Sequence, residues 1–144
     1  MTRKYVAVFG LGYDQLEGIK ELRKNFKILG FDENEKSKAI KYVDKYFSIN
    51  FKKKSEILKI CRNFNVRYIF SFNTEGPLPI VGYLNTKLNL QGIKQQTVNL
   101  VTNKYNLRKK FKKNVIVFPD FKVFKKKDTD NFINKISFPK IFKK

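Results

Sequence analysis

Tyr5-Val6-Ala7-Val8-Phe9-Gly10-Leu11-Gly12 is the stretch on which the reading of this chain turns. Its first five residues form an apolar run of strand formers with no polar break, the pattern of a strand covered on both faces in a parallel sheet. Two glycines stop the run, and Asp14 opens a helical pattern with Leu16, Ile19 and Leu22. Asp14 and Glu17 have the spacing of a capping box, and Gly18 either weakens the helix or lets it approach the sheet closely. Phe26-Lys27-Ile28-Leu29-Gly30-Phe31 is the next strand, ending in Asp32. A strand that turns through glycines into a helix and then a second strand is the opening unit of an α/β fold.

Outward from this unit the alternation continues. Glu35 to Tyr42 is expected to form a short helix and Tyr46 to Ile49 a third strand. Ser55 to Phe64 places Ile57, Leu58, Ile60, Cys61 and Phe64 on one helical side, with Ser55 as its start. Tyr68 to Phe72 reads as a fourth strand running into the polar turn Asn73-Thr74-Glu75-Gly76. Pro77 and Pro79 stand in or before the first turn of a helix from Leu78 to Leu88, and Gly92-Ile93 closes that unit. Gln95–Leu100 and Asn103–Phe111 read as helices, Phe121–Phe124 as a strand, Thr129–Lys135 as a helix and Pro139–Phe142 as the start of a strand. Strand–helix alternation over residues 5–90 predicts a parallel α/β layer. Residues 103–144 are more basic, offer few segments that close a core of their own, and read as the beginning of something larger.

Composition narrows the chemistry. The 144 residues hold one cysteine and no histidine, which excludes an internal disulfide, cysteine metal clusters, imidazole acid–base catalysis and histidine-ligated metals. Cys61 lies in an apolar helical stripe and is expected to be a buried, inert thiol. Charges interrupt the early apolar runs and no stretch has the length of a membrane span, so a cytoplasmic protein is expected. The formal charge is +20, distributed as +3 over residues 1–50, +6 over 51–102 and +11 over 103–144. Such a field favours polyanions. Arginine is nevertheless scarce, no nucleic-acid motif stands out, and Lys52–Lys54, Lys109-Lys110 and Lys125–Lys127 are short runs typical of solvated surface.

Three groups of residues are candidate binding sites. Gly10, Gly12, Tyr13, Asp14 and Gln15 form a turn and helix start whose backbone N–H groups can receive an anion. Asp32 lies about 20 residues on, where a dinucleotide fold places a ribose-binding acid. The third fingerprint glycine is replaced by Gln15, which leaves a tight structural turn as the competing explanation. Asn73, Thr74, Glu75 and Gly76 follow the carboxyl end of the fourth strand, where open α/β sheets bind ligands, and with Gly10–Tyr13 they can line a pocket or simply make a capped turn before Pro77. Lys104 and Arg108 are four residues apart, so one helix face presents both cations; such a pair suits a polyphosphate or a plain solvated surface.

In their order and spacing these pieces resemble the front end of an ATP-grasp enzyme. The likeness is to the pre-ATP-grasp domain of the carbamoyl-phosphate synthase large subunit, biotin carboxylase and related carboxylate–amine ligases. It rests on Gly10-Leu11-Gly12-Tyr13-Asp14-Gln15, Gly30-Phe31-Asp32, Val43-Asp44-Lys45-Tyr46 and Thr74-Glu75-Gly76 with Pro79-Ile80-Val81. It continues through Leu90-Gln91-Gly92-Ile93 and Thr102-Asn103-Lys104-Tyr105-Asn106-Leu107-Arg108 to Phe138-Pro139-Lys140-Ile141-Phe142-Lys143. The resemblance implies a three-layer α/β/α sandwich with a mostly parallel, Rossmann-like sheet over residues 1–93. A helical connection over 94–118 and an incomplete start of the ATP-grasp small subdomain over 119–144 would follow. It further implies that Lys104, Arg108 and Lys143 meet ATP phosphates, and that the intact parent uses ATP and Mg²⁺ to make an acyl phosphate for attack by an amine.

The family has proline after its final lysine where this chain has Lys144, and the glycine-rich loop, adenine pocket and metal-binding acids of the family have no counterpart here. The expectation is therefore a fragment or subunit, inactive alone and binding no cofactor tightly. Its partners would be the missing ATP-grasp region, on the same chain or on a second polypeptide, and a small carboxylate substrate. Two other classes stand beside it: a stand-alone Rossmann-like module for a nucleotide or small anion, and a basic protein contacting nucleic acid or a surface.

Overall fold

The computed structural model describes residues 3–117. Four strands build one sheet: β1 (Tyr5–Phe9), β2 (Lys27–Asp32), β3 (Lys45–Ser48) and β4 (Tyr68–Phe70). All adjacent strands are parallel, in the order β3-β2-β1-β4. The helices are α1 (Leu16–Arg23), α2 (Lys54–Asn63), α3 (Leu78–Lys87), α4 (Gln95–Val101) and α5 (Lys104–Lys113). The chain divides into two compact units, the first closing at Lys104 and the second beginning at Tyr105, so α4 belongs to the first.

Alternation along the central strands sends successive side chains to opposite faces. Ala7, Phe9, Leu29 and Phe31 enter a core with Ile57, Leu58 and Cys61 of α2 and Ile80, Val81 and Leu84 of α3. Val6, Val8 and Ile28 enter a second core with Leu11, Ile19 of α1 and Ala39. Helices on both faces make the predicted three-layer α/β/α sandwich, and both central strands read as continuous apolar runs because neither face meets water. On the first face Phe9 stacks on Phe31 with centroids 4.8 Å apart, Phe31 stacks on Phe47 at 5.1 Å, and Phe51 meets Phe9 edge-on at 5.5 Å. Gly82 lets α3 and α4 approach closely, since a β-carbon there would lie 2.6 Å from Val98 Cγ2 and 3.1 Å from the Gln95 backbone.

Several local expectations give way to tertiary contacts. The segment from Glu35 to Tyr42 forms no α-helix; only a 3-10 turn at Ile40–Tyr42 is present. The Ala39 N–H, which a helix would bond to Glu35, donates to the Leu11 carbonyl at 3.0 Å, and the Ser37, Ile40 and Tyr42 N–H groups bond three residues back to Asn34, Ser37 and Ala39, so the segment closes as tight turns. The capping box is also absent. The chain enters α1 through a 3-10 turn, Tyr13–Gln15, that contains Asp14, and no side chain caps either element. Glu17 instead accepts a hydrogen bond from Lys20 at 2.7 Å. Strand β4 ends at Phe70, two residues early, because β1 turns away at Gly10 and offers β4 no partner beyond Val8. Ser55 lies inside α2, which begins at Lys54. The expected strand, helix and strand at Phe121–Phe124, Thr129–Lys135 and Pro139–Phe142 lie outside the described residues.

Cys61 is fully buried, and desolvation pushes its thiol up to about 12. An aromatic disulfide reagent at pH 8 should therefore label Cys61 only as the protein opens, with a rate that rises with urea and reaches that of a free peptide thiol after unfolding. Labelling at the free-thiol rate under native conditions would contradict this burial. Among the described residues no helix is long and apolar enough to cross a membrane.

Candidate functional site

The carboxyl ends of β1 and β4 carry the two loops singled out by the sequence, and three hydrogen-bonded links organise them. At Gly10 the backbone adopts φ +86°, and the Gly10 N–H donates to the Phe31 carbonyl at 2.9 Å. This turns the chain over β2 and leaves the end of β4 open. Gln15 fills the gap. Its side chain is buried, its Oε1 accepts the Phe72 N–H at 3.4 Å, and its Nε2 would lie 2.5 Å from any β-carbon at position 10. A third glycine here would leave that amide without its partner, so the departure from the dinucleotide fingerprint has a structural purpose. Asn73, at φ +52°, donates through Nδ2 to the Asp14 carbonyl at 2.9 Å. Gln15 and Asn73 thus tie the Gly10–Gln15 loop to the Asn73–Gly76 loop across 57 to 59 residues of sequence.

Asp32 sits on the other side of the β1 loop. Its Oδ2 accepts the Leu11 N–H at 2.7 Å and the Ser37 hydroxyl at 2.9 Å, while Oδ1 holds Asn34. The carboxylate therefore knits the β1 and β2 loops together through its own chain. Tyr46 Oη donates to the Asp32 carbonyl at 3.1 Å, which fixes the strand end. Ser37 carried no sequence signal as a site residue; its role follows from the fold that brings the 33–39 loop back over Asp32.

Thr74, Glu75 and Gly76 are exposed, as are Tyr13 and Asp14, and a β-carbon at Gly12 would meet nothing within 4 Å. The loops therefore form an open crevice whose backbone is rigidly held and whose rim is polar. Lys104 comes to this rim, with Nζ 4.0 Å from Glu75 Oε1 and both side chains more than half exposed. An exposed pair at that distance contributes little to stability, and the ammonium is free to exchange Glu75 for another anion. Arg108 is half-buried in the second unit, and Lys143 lies outside the described residues. No group of three or more His, Cys, Asp or Glu side chains is placed to hold a metal among the described residues.

Beside Tyr13 lies an open depression of ≈ 480 Å³ between the start of α1 and the β2–β3 connection. Leu16 and Ile40 line it together with Tyr13, Tyr42 and the 35–38 loop. The interleaving of Lys36, Lys38 and Lys41 with Tyr42 was its only sequence signal. Lys20 and Lys41 both lie over the Tyr42 ring, at 5.5 and 5.3 Å from its centroid. The hydrogen bond to Glu17 holds the Lys20 ammonium above the ordinary lysine range.

The fold and its crevice at the strand ends define a Rossmann-like α/β/α module. No protein-family model matches the chain, and no curated protein matches it by sequence. Solved structures do share its fold. The phosphoribosylglycinamide synthetase from Anaerococcus prevotii superposes with a TM-score of 0.73 at 17% identity, over 96% of this chain and 36% of that one. The L-amino acid ligase from Bacillus licheniformis gives 0.75 at 20% identity over 96% and 36%. The N5-carboxyaminoimidazole synthetase from Staphylococcus aureus, solved with ADP, gives 0.70 at 16% identity over 94% and 36%. The chain thus spans little more than a third of the length of each. The likeness is one of fold, and at that level it agrees with the architecture that the family resemblance implied.

Proposed function

We propose that this chain is the front part of an ATP-dependent carboxylate–amine ligase of the ATP-grasp type. The observation that supports it best is the shared fold with two synthetases and a ligase over nearly all of this chain and 36% of theirs. In this reading the crevice between Gly10–Gln15 and Asn73–Gly76 faces the carboxylate substrate, with Gly12 leaving room for close approach. Lys104, on the rim of that crevice, exchanges Glu75 for a nucleotide phosphate; the family resemblance gives Arg108 and Lys143 phosphate-binding roles as well. Fixed cations of this kind stabilise charge on a transferring phosphoryl group. In this reading the carboxylates that hold Mg²⁺ come from the remainder of the enzyme.

The test is ADP release. The 144-residue chain alone should release none from ATP and Mg²⁺ with any carboxylate and amine. The product translated through the following coding sequence, or reconstituted with a second polypeptide that completes it, should release ADP only when both substrates are present. Lys104→Ala in that product should lower the rate by roughly a hundredfold. ADP release by the chain alone, or the absence of any completing sequence in the genome, overturns the reading.

A further inference from the structure

The depression beside Tyr13 is separate from the crevice just described and has a chemistry of its own. Its inner wall is apolar, since Leu16, Ile40 and Tyr42 pack against the second core. One rim is the Tyr13 ring, which is 76% exposed. The other is Tyr42, with the Lys20 and Lys41 ammonium groups held over its ring. Lys36 and Lys38 line the same opening. The carboxylate lining it is Glu35 from the loop, and Glu17 on α1 is bonded to Lys20. Cations therefore outnumber carboxylates around a wall that offers flat aromatic surface. The volume, ≈ 480 Å³, falls in the range of about 300–1,000 Å³ common to small-molecule sites.

We propose that this depression binds a planar aromatic anion of the nucleoside monophosphate class. The ring lies against Tyr13 over the Leu16–Ile40 wall, where stacking needs only a flat face. The phosphate meets Lys36, Lys38 and Lys41. Lys41 is well suited, because its contact with the Tyr42 ring keeps the ammonium beside the apolar wall instead of out in water. Neither half of such a ligand satisfies the site alone. A neutral nucleoside leaves the lysines without an anion, and a bare phosphate leaves the tyrosine and the apolar wall wet.

Calorimetric titration of the 144-residue chain at low salt tests this with AMP, adenosine and ribose 5-phosphate as probes. AMP should bind at one site per chain, at least about tenfold more tightly than either of the others. Tyr13→Ala and Lys41→Glu should each weaken AMP by about tenfold or more. Both positions are exposed, so melting temperatures should stay near that of the parent. Lys87→Ala, at an exposed position of α3 that lines neither opening, should leave AMP affinity within about twofold. The proposal is overturned if AMP does not bind, if adenosine or ribose 5-phosphate binds equally well, or if either groove variant keeps the parent affinity. Loss of AMP binding in Lys87→Ala overturns it too. ADP release is not measured here, so this result stands or falls independently of the ligase reading.

Discussion

Phe31→Ala should destabilise the first unit by about 3–5 kcal/mol. Phe31 is fully buried on β2, stacked on Phe9 at 4.8 Å and 10° on one side and on Phe47 at 5.1 Å and 17° on the other. Removing the ring takes away its transfer free energy and leaves a cavity. The main-chain ladder to β1 and β3 resists collapse around that cavity. Domains of this size have only ~5–15 kcal/mol in total, so the variant should lose a large part of its stability. Phe31→Leu keeps most of the volume and should cost about 1–2 kcal/mol. Urea midpoints at unchanged slope measure both losses. A Phe31→Ala loss below about 1 kcal/mol would mean that the aromatic stack does not exist as described.

Gly10→Ala should cost about 2–4 kcal/mol, while Gly12→Ala, two residues on, should change stability by no more than about 0.5–1 kcal/mol. At Gly10 the φ of +86° is strained for any residue with a β-carbon, at about 1–2 kcal/mol. The added methyl would also sit 2.5 Å from Gln15 Nε2, forcing out the side chain that holds Phe72. At Gly12 the backbone is at φ −66° and the space is open. The double variant Gly10→Ala/Gln15→Ala should cost less than the sum of its singles, because Gln15→Ala removes the clash but not the backbone strain. Equal losses at positions 10 and 12 would show that the loop is not shaped by Gln15.

Much of the architecture was legible in local sequence. Tyr5–Phe9 and Ile28–Phe31 read as buried parallel strands because both of their faces are covered, which leaves an unbroken apolar signal. The Ser55–Phe64 and Leu78–Leu88 stripes appear as α2 and α3 within a residue or so, and Cys61 is buried as expected. Local pattern failed where backbone groups bonded outside the expected helical ladder. The 35–42 segment was expected to be helical, yet the Leu11 carbonyl takes the Ala39 N–H that an α-helix would use. Asp14 and Glu17 have capping-box spacing, yet a 3-10 turn moves Asp14 out of the cap.

The candidate site follows the same division. Its residue types and their position at strand ends were readable, since glycines and small polar residues after an apolar run announce a turn at the carboxyl edge of a parallel sheet. The sequence by itself determined the layered α/β class, the absence of imidazole and thiol-cluster chemistry, and which loops lie at the carboxyl edge of the sheet. Those are consequences of composition and of hydrophobic period, which act locally. Only the tertiary structure decided that Gln15 braces the chain just beyond β4, that Asp32 holds the Leu11 amide, that Lys104 reaches Glu75, and that Tyr13 and Tyr42 flank one depression. Each of those pairings joins residues 21 to 57 positions apart, and only the folded backbone sets the distance between them.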